Sequence, residues 1–458
     1  MHRYIISNNC RTKIMEINVT NLGPIKQASV KIGGLTVFVG PNGTGKSYLG
    51  KVIYGLRRPE TLTDNLTRDA ARFYKIIFNQ EMTTLQQAIE HLQQLTPAAY
   101  HQAIPKLAKL HAELFKKRLS EFFNDDSNLF ENSTISFAGI KELDENELQN
   151  TINIVLNSNF LQWPEDRRPS PGIIAISLSI SPFWEVNRIA NYFPASRTYF
   201  MLNYKALIHA RANDQVGVIS MSALLANQPK TIGPLQRFDK PTEDFIDCLY
   251  NLDTSKRKPY AHIADKLQNS LYGNDQLQVN QGLGSLADFY YQLGDKPNKI
   301  RLHLSSSMVT ETSPLLVGLW HWIESGNLVV IDEPESHLHP EAQRKLVYGL
   351  AEAVNQGLNL ILITHSPYIL SCVNNLIKFN KINNEYPDDK NLQMLKQQHP
   401  DLVALDKPVH AYNFKLDGTV DDIVLENGLI DEAEFTLPFD RINALYEEMR
   451  DIEWDHKE

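Results

Sequence analysis

The sequence predicts an α/β protein with a mixed β-sheet that is split by a large helical insertion. Three observations carry this prediction. Short strand patterns separated by glycine turns fill residues 13–39. Helical spacing dominates from about residue 59 to residue 123. Strand patterns that end in polar or charged residues then return near residues 332 and 363. Alternation of strands and helices of this kind is typical of α/β architectures.

Composition excludes several classes of protein. The chain has 458 residues, with 45 Lys and Arg against 54 Asp and Glu, so its formal charge is −9 and a nucleic-acid-coating surface is disfavoured, although a local basic patch remains open. Its three cysteines, Cys10, Cys248 and Cys372, are too widely spaced for a disulfide framework or a four-thiolate zinc site. Its apolar runs are shorter than the ~18 residues of a membrane span, and the first residues lack a signal-peptide core. We therefore expect a cytoplasmic protein that makes no contact with a membrane.

The organisation along the chain suggests one α/β head assembled from separate segments. We expect residues 1–58 to form the first part of the head, 59–170 the helical insertion, 171–300 a second part with helical or lid insertions, and 301–458 the closing part. Within the insertion, an apolar stripe is expected from Leu107, Leu110, Leu114 and Leu119. Loops are expected at 124–133 and 163–172, and strands at ISFAGI (135–140) and IIAISLSI (173–180). Further helices are expected at 203–226, 242–272, about 305–324 and 439–452, and further strands at 277–279, 289–292, 299–304 and within 409–430.

The strongest local signal is a glycine-rich motif directly after the apolar strand LTVFV. Residues 40–47 read GPNGTGKS and satisfy G-x-x-x-x-G-K-[ST]. Its glycines leave backbone N–H groups free to face phosphate oxygens, and the following helix N-terminus adds partial positive charge. Lys46 would reach the β- and γ-phosphates and Ser47 would bind Mg²⁺. The alternative, a chance glycine-rich turn, is disfavoured by the strand before and the helix after. The predicted nucleotide-binding residues are Gly40, Asn42, Gly43, Thr44, Gly45, Lys46 and Ser47.

A second signal is the pair of carboxylates that ends the strand NLVVI. Asp332 is expected to hold Mg²⁺, usually through a water molecule, and Glu333 to accept a proton from the attacking water. Such a pair can also simply cap a strand. The phosphate-binding motif upstream and the segment PESHLHP that follows favour the catalytic interpretation.

His365 follows the strand LILI and precedes Ser366-Pro367. Side chains at the carboxyl ends of parallel strands face the crevice in which α/β folds bind ligands, so we expect His365 to sense or polarise the γ-phosphate. The alternative is a histidine with a purely structural role.

Three serines, Ser305, Ser306 and Ser307, stand at the start of a predicted helix. Serines in this position commonly cap the helix, and this remains the alternative. If the helix faces a second protomer, the hydroxyl and free N–H groups would bind the γ-phosphate of the neighbour's nucleotide.

Four segments together resemble the ATP-binding-cassette (ABC) ATPases of the SMC, RecF and OLD group: GPNGTGKS, LSSS, VVIDEPESHLHP and ITHSPYIL. The last two look most like the OLD branch, and YFPASR (192–197) is similar to a P-A-x-R segment common there. The resemblance implies an ABC-type P-loop ATPase head that uses ATP and Mg²⁺ and works as a head-to-head dimer or higher oligomer. It makes Lys46, Glu333 and His365 the catalytic candidates and places Arg197 near the nucleotide, with a structural ion pair as the alternative.

The sequence also departs from that group. Serine stands where a glycine often follows in the signature segment, which predicts slow hydrolysis, and the glutamine that ABC enzymes place between their lobes is not located, Gln80 being too weakly supported to nominate. The Toprim nuclease domain of OLD proteins is not expected after His365. The resemblance thus implies a sensor or scaffold subunit of an anti-phage system, similar to the ATPases of Septu, PARIS or retron-associated systems, that acts with a separate HNH or other nuclease. The alternatives are a RecF- or SMC-like repair ATPase and a nucleotide-locked scaffold with little hydrolysis.

Two further clusters call for interpretation. Basic residues recur at Lys106, Lys109, Lys116, Lys117 and Arg118, at 167–168 and at 256–258, where a solvated surface is favoured over a face that contacts the DNA backbone. His337 and His339 are expected to shape the segment after Glu333 and not to bind zinc.

Overall fold

The computed structural model describes residues 16–58, 66–81, 85–125, 127–139, 144–149, 152, 190–216, 238–281, 286–294 and 299–455. The predicted run of short strands is confirmed as β1 (Glu16–Leu22), β2 (Ile25–Lys31) and β3 (Leu35–Val39), with turns at Gly23-Pro24 and Gly33-Gly34. Helix α1 (Lys46–Leu56) follows the glycine-rich motif. The prediction of a strand at 173–180 and that of a loop at 163–172 lie outside the described residues.

The inserted segment is helical, as predicted, and returns to the head as a strand. It contains α2 (Leu66–Phe78), α3 (Leu85–Gln93), α4 (Pro97–Lys117), α5 (Leu119–Phe123) and then β4 (Thr134–Ala138). Thr96 begins α4 by accepting a hydrogen bond from the N–H of Ala99 at 3.4 Å. The four leucines of the predicted stripe are all buried. Strand β4 pairs with β1, which also pairs with β2, in a three-stranded antiparallel sheet.

The next part of the chain carries one strand of the head and a group of helices. Its elements are β5 (Ala190–Phe193), α6 (Arg197–Val216), α7 (Lys240–Tyr250), α8 (Ala261–Tyr272), β6 (Gln276–Asn280), β7 (Asp288–Gln292) and β8 (Lys299–Arg301). The helical segment expected over 242–272 consists of two helices, because a turn-rich segment containing Pro259 separates α7 from α8. The strand expected over 299–304 ends at Arg301, because Leu302–Leu304 form a 3₁₀ turn.

The closing part alternates helices and strands. It comprises α9 (Ser307–His321), β9 (Leu328–Asp332), α10 (Pro340–Asn355), β10 (Asn359–Ile363), α11 (Pro367–Glu385), α12 (Lys390–Gln398), β11 (Val409–Phe414), β12 (Val420–Asp422) and α13 (Ala433–Asp455). Helices α10 and α11 both begin with proline, whose fixed φ suits the first helical position and whose missing N–H is not needed there. Helix α13 begins six residues before the predicted residue 439 (439 − 433 = 6).

The central sheet is mixed, which confirms the predicted fold class. Its six strands lie in the order β12–β11–β3–β10–β9–β5, all parallel except β12. In this register Ile363 lies beside both Phe38 and Asp332. The carboxyl ends of β3, β10 and β9 therefore meet at one edge of the sheet, where parallel α/β folds bind ligands.

Two apolar cores cover the two faces of this sheet. One joins α1, the antiparallel sheet and the inserted helices, and includes Phe38 and Leu107. The other joins β5 to helices α6–α11 and includes Val37 and Leu362. Alternate residues of β3 thus enter opposite cores, as expected for a strand buried on both faces. Within the described ranges, no helix has the length and hydropathy needed to cross a membrane.

Candidate functional site

The glycine-rich loop between β3 and α1 has a backbone that only glycine suits at two positions. Gly40 has φ +135°, and a Cβ there would lie 2.2 Å from the carbonyl oxygen of Phe414. Gly45 has φ +97°, and a Cβ there would lie 2.6 Å from Cγ1 of Ile25. Thr44 closes the loop by donating from its hydroxyl to the carbonyl of Pro41 at 2.9 Å. The first N–H groups of α1 have no partner within the helix, so this loop presents donors suited to an anion.

Lys46 lies folded over the same loop. Its ammonium group donates to the carbonyls of Gly40 at 2.9 Å and Pro41 at 2.7 Å. Burial lowers the pKa of Lys46 to about 8, although the nearby carboxylates of Asp332, Glu333 and Glu335 act in the opposite direction. An incoming phosphate would offer this amine a stronger acceptor than the two carbonyls.

Ser47 and Asp332 meet across the crevice. The Ser47 hydroxyl donates to Oδ1 of Asp332 at 3.1 Å, and the hydroxyl of Tyr192 donates to Oδ2 at 2.8 Å. Burial raises the pKa of Asp332, while these two hydrogen bonds and the charge of Lys51 pull the pKa down. Adjacent ligands of an octahedral Mg²⁺ with bonds near 2.1 Å lie roughly 3 Å apart. The oxygens of Ser47 and Asp332 therefore fit two neighbouring positions around this cation.

Glu333 has an unusual backbone. Its φ is +49°, in the left-handed region that a residue with a Cβ rarely adopts. Its N–H donates to the carbonyl of Ile363 at 2.8 Å, and its carboxylate accepts from the hydroxyl of Ser336 at 3.0 Å. Such outliers persist only where the surroundings hold them, and they cluster at functional sites. The conformation turns the chain sharply just after β9, at the edge of the crevice.

His365 lies at the same edge and is exposed. Its backbone N–H and the hydroxyl of Thr364 both donate to Oε1 of Glu335 at 2.7 Å. The His365 side chain borders a cavity of about 520 Å³ together with Gly40 and Pro41 of the loop. The structure thus brings Lys46, Ser47, Asp332, Glu333 and His365 to one edge of the sheet.

The three serines lie before and at the start of α9. Ser305 donates to the carbonyl of Leu302 at 2.6 Å. Ser306 caps the helix by accepting from the N–H of Val309 at 3.4 Å, which is the structural alternative left open by the sequence. Ser306 and Ser307 remain exposed. Among the hydrogen bonds of the described residues, none joins these serines to the glycine-rich loop of the same chain.

Arg197 does not face the glycine-rich loop. Its side chain is 0% exposed and donates to the backbone carbonyls of Glu311, Asp332 and Glu333 at 3.1, 2.9 and 3.2 Å. It also forms an ion pair of 3.3 Å with the Glu311 carboxylate. A fully buried guanidinium does not itself touch a ligand in the crevice, although the bonds to the carbonyls of Asp332 and Glu333 keep Arg197 beside the predicted site. The alternative, a structural ion pair, describes the geometry.

Three functional residues escaped the sequence analysis. Tyr192 was quoted only as part of YFPASR, yet its hydroxyl orients the Asp332 carboxylate. Glu335 links the segment after β9 to that after β10. Lys51 forms an ion pair of 2.5 Å with Asp239, and both border a cavity of about 310 Å³ beside Ser47. Of these three residues, only Glu335 stands in a conspicuous sequence pattern, as the third acidic residue of the segment DEPE (332–335).

The basic clusters are partly neutralised by ion pairs where they are described. Arg118 pairs with Glu121 at 2.9 Å, Arg257 pairs with Asp265 at 2.6 Å, and Lys258 pairs with Glu324. Lys106, Lys116 and Lys117 are exposed on α4. The arginines at 167–168 lie outside the described residues. A solvated, partly ion-paired surface is therefore the interpretation that these contacts favour.

The two histidines after Glu333 have structural positions. His337 is exposed with φ +57°, in a turn. His339 caps α10, because its Nδ1 accepts from the N–H of Glu341 at 3.3 Å. These positions favour the interpretation that both residues shape the segment.

A family model described as the AAA ATPase domain matches residues 13–370. A search of curated proteins found no match. Among solved structures, the chain is similar to an SMC head bound to the C-terminal winged-helix domain of ScpA, with 12% identity, a TM-score of 0.36, and coverage of 90% of this chain and 98% of that chain.

Two other solved structures are similar at the same level. An SMC head with an extended coiled coil, bound to the C-terminal domain of ScpA from Pyrococcus furiosus, has 9% identity and a TM-score of 0.35, with 95% of this chain and 99% of that chain covered. The ADP conformation of MJ1267, an ATP-binding cassette of an ABC transporter, has 10% identity and a TM-score of 0.29, with 89% and 90% covered.

Proposed function

Because the chain belongs to the AAA ATPase domain family, whose model spans residues 13–370, we propose that it binds MgATP at the crevice formed by β3, β9 and β10 and hydrolyses it. The mixed sheet and the helical insertion support a P-loop ATPase head of ABC type. The observation that carries the proposal is the meeting of Ser47 with Asp332 at 3.1 Å beside the phosphate-binding loop. This contact between two segments far apart in sequence supports the proposal that both oxygens serve one hard cation.

Each residue of the crevice has a distinct role in this proposal. The loop N–H groups hold the phosphates, and Lys46 exchanges the carbonyls of Gly40 and Pro41 for the β- and γ-phosphates. The cation held by Ser47 and Asp332 neutralises charge on the phosphates. Glu333 accepts a proton from the attacking water, and its left-handed backbone sets the direction of its carboxylate. His365 polarises the γ-phosphate from the adjacent strand end.

A second copy of the chain completes the site. The exposed N-terminus of α9, with Ser306 and Ser307, offers N–H and hydroxyl donors. Among the described residues, these serines form no hydrogen bond with the glycine-rich loop of their own chain. In a head-to-head dimer, these donors bind the γ-phosphate held by the other copy. Charge that develops on the γ-phosphate is then stabilised from both sides. The family resemblance of the segment LSSS supports this arrangement.

At the level of the cell, the proposed role is that of a sensor or scaffold subunit in an anti-phage complex that controls a separate nuclease, with HNH chemistry favoured. The motifs IDEPESHLHP and THSPYIL support the OLD-like branch. The last helix also offers a surface for a partner, since Ile442, Leu445, Tyr446 and Met449 share one helical face and are each more than half exposed. Any contact with DNA uses the exposed lysines of α4 or is made by the partner.

Two substitutions test the ATPase proposal. We expect Lys46→Ala to lose ATP binding, because it removes a charge-assisted donor to the phosphates. We expect Glu333→Gln to bind ATP normally but to hydrolyse it about 10²–10⁴-fold more slowly, because an amide cannot accept the proton. Binding is measured by calorimetry, turnover by phosphate release, and assembly by native mass spectrometry, where Glu333→Gln with ATP should accumulate a closed dimer.

Glu385→Gln is the matched control, because this exposed carboxylate ends helix α11, far along the helix from His365, and pairs with Lys381 at 4.0 Å. It should change neither binding nor turnover. Normal turnover by Glu333→Gln would refute the assigned base. If the unmodified protein shows no turnover with or without DNA but still binds ATP, the nucleotide-locked scaffold replaces the enzyme. Stable association with a nuclease encoded beside the gene supports the defence role, and stimulation by DNA without such a partner supports the repair alternative.

A further inference from the structure

The side chain of Arg197 contacts two elements that serve different nucleotides in the proposed dimer. We propose that Arg197 is a positioning residue that ties the backbone of Glu333 to helix α9, and thereby couples the signature serines of a protomer to the general base of the same protomer. This inference rests on the proposed function, because it assigns Glu333 to the nucleotide of its own chain and Ser305–Ser307 to the nucleotide of the other copy.

The whole guanidinium group of Arg197 is engaged in contacts with the protein. All three nitrogens of the guanidinium are used: Nε donates to the carbonyl of Glu311, Nη1 to those of Asp332 and Glu333, and Nη2 to that of Glu333. The Glu311 carboxylate, itself only 7% exposed, balances the charge at 3.3 Å. A buried arginine with this many protein acceptors is held in one place, so it can transmit a displacement from one neighbour to another.

Glu311 lies close to the signature serines along helix α9. It stands four residues after Ser307 (311 − 307 = 4), one helical turn further along α9. A movement of the helix N-terminus therefore displaces the carbonyl and the carboxylate that Arg197 contacts. The N-terminus of α9 must move or become fixed when a neighbour's γ-phosphate docks on Ser306 and Ser307. This part of the helix is directly connected to the Arg197 guanidinium.

The backbone of Glu333 is held in its left-handed conformation from two sides. Its left-handed backbone is held on one side by the bond from its N–H to Ile363, at 2.8 Å, and on the other by the two guanidinium N–H groups on its carbonyl, each at 3.2 Å. A strained backbone of this type persists only while such contacts hold it. Loss of the guanidinium contacts would let the peptide after Glu333 rotate, and the carboxylate would leave the direction needed for proton transfer.

The residue type follows from this geometry. Arginine presents its donors in a fixed planar fork, so it reaches the carbonyl of Glu311 on α9, that of Asp332 at the end of β9 and that of Glu333 just after it at once. Lysine offers three donors from a single nitrogen and cannot span both groups. The conservative substitution Arg197→Lys therefore keeps the charge beside Glu311 while breaking the link to Glu333.

The experiment compares Arg197→Lys with Arg58→Lys. Arg58 is a suitable control because its guanidinium donates to the carbonyl of Ala190 at 3.2 Å and pairs with Asp244 at 3.6 Å, and neither of these partners is a partner of Arg197. We expect Arg197→Lys to bind ATP within about threefold of the parent, to lower kcat at least tenfold, and to lower the Hill coefficient for ATP toward 1. Arg58→Lys should change none of these.

Hydrogen exchange provides a readout that needs no turnover. In Arg197→Lys, the amides of residues 305–311 and 333–336 should exchange faster together, whereas in Arg58→Lys both segments should match the parent. Turnover and exchange both equal to the parent in Arg197→Lys would overturn the proposal. So would faster exchange in only one of the two segments, since the tie would then be absent.

These outcomes separate the inference from the proposed function. If the parent binds ATP but does not hydrolyse it, the assigned ATPase activity fails, and joint loosening of the two segments still decides for or against Arg197. If Arg197→Lys does not fold, Glu311→Gln replaces it, because it removes only the ion pair. Glu311→Gln should speed exchange in both segments and lower the Hill coefficient, and parent-like behaviour in both measurements would sink the proposal.

Discussion

The two sides of the crevice edge at β9 are built differently. On the side of the glycine-rich loop, contacts are local in sequence: Lys46 donates to Gly40 and Pro41, six and five residues away. On the opposite side, contacts are long-range: Tyr192 reaches Asp332 across 140 residues, and Arg197 reaches Glu311 across 114. The first side is the phosphate loop, and we call the second, formed by Tyr192, Arg197 and Glu311, the supporting layer.

The two sides of the site are stabilised by different physical effects. The phosphate loop is shaped by turns, by glycines packed closely against Ile25 and Phe414, and by its own carbonyls, so its geometry depends mainly on steric fit. The supporting layer is buried and polar, so its stability depends on every donor finding an acceptor in a medium of low polarity. Damage to the loop should therefore act through sterics, and damage to the supporting layer through charge and hydrogen bonding.

The largest expected effect tests the steric side. Gly40→Ala places a Cβ 2.2 Å from the backbone carbonyl of Phe414 at φ +135°, whereas Gly43→Ala meets nothing within 4 Å and has φ +76°. We expect Gly40→Ala to lower the free energy of unfolding by about 3 kcal/mol, from overpacking and backbone strain together. Gly43→Ala should lower it by about 1 kcal/mol, from strain alone. Urea unfolding followed by circular dichroism measures both.

The pair is its own control, because both substitutions add the same methyl group to the same motif. Equal losses in the two variants would mean that strain alone governs the loop and that the contact with Phe414 adjusts freely. Steric fit against Phe414 would then not determine the geometry of the phosphate loop.

The same division explains what the sequence could predict. The segments 40–47, 332–333 and 365 were identified because each is a short motif at the end of an apolar strand, and the sheet register brings them together. Strands β1–β3, β9 and β10 were predictable from apolar runs bounded by turn residues. Local pattern and tertiary position agree throughout this part of the fold.

The supporting layer could not be predicted in the same way. Strand β5 has four residues, too few for a periodic signal, and the proline that follows it hides the start of α6 at Arg197. The tie between Arg197 and Glu311 depends on two helices packing together, which spacing does not reveal. The division of the helical segment 242–272 into α7 and α8 is likewise hard to predict, because helical periodicity resumes after the turn that holds Pro259.

A smaller effect tests the polar side. Tyr192→Phe removes the hydroxyl that donates to Asp332 at 2.8 Å and adds no volume. Since this bond lowers the pKa of a carboxyl group that burial raises, the pKa of Asp332 should rise further in the variant. A hydrogen bond to a charged group contributes about 1.5–3 kcal/mol. We expect roughly tenfold weaker Mg²⁺ activation at neutral pH, recovered in part as the pH rises and the carboxyl group ionises.

Tyr204→Phe is the matched control for that experiment. Its hydroxyl is also buried but donates at 2.5 Å to the carbonyl of Ala287, which is not one of the crevice residues. It should lose some stability in thermal unfolding while keeping the Mg²⁺ dependence of the parent. An unchanged Mg²⁺ titration in Tyr192→Phe would show that the supporting layer does not tune Asp332.

The smallest effect arises where the two sides meet, at Lys46. Burial lowers the pKa of this amine to about 8, and bound phosphates favour its protonated form. Below pH 7 the amine is already protonated, so ATP binding should take up no proton there. At pH 9 it is mostly neutral in the free protein, so binding should take up about one proton, and ATP affinity should fall by up to tenfold for each pH unit above 8, equivalent to about 1.4 kcal/mol.

Calorimetry in two buffers of different ionisation enthalpy measures this uptake directly. Lys46→Arg is the control, because a guanidinium stays protonated throughout this range and should bind ATP with no proton uptake at either pH. If the parent and Lys46→Arg take up the same number of protons at pH 9, the proton goes to another group. In that case the carboxylates across the crevice already keep Lys46 charged, and their pull on the amine outweighs the cost of burying it.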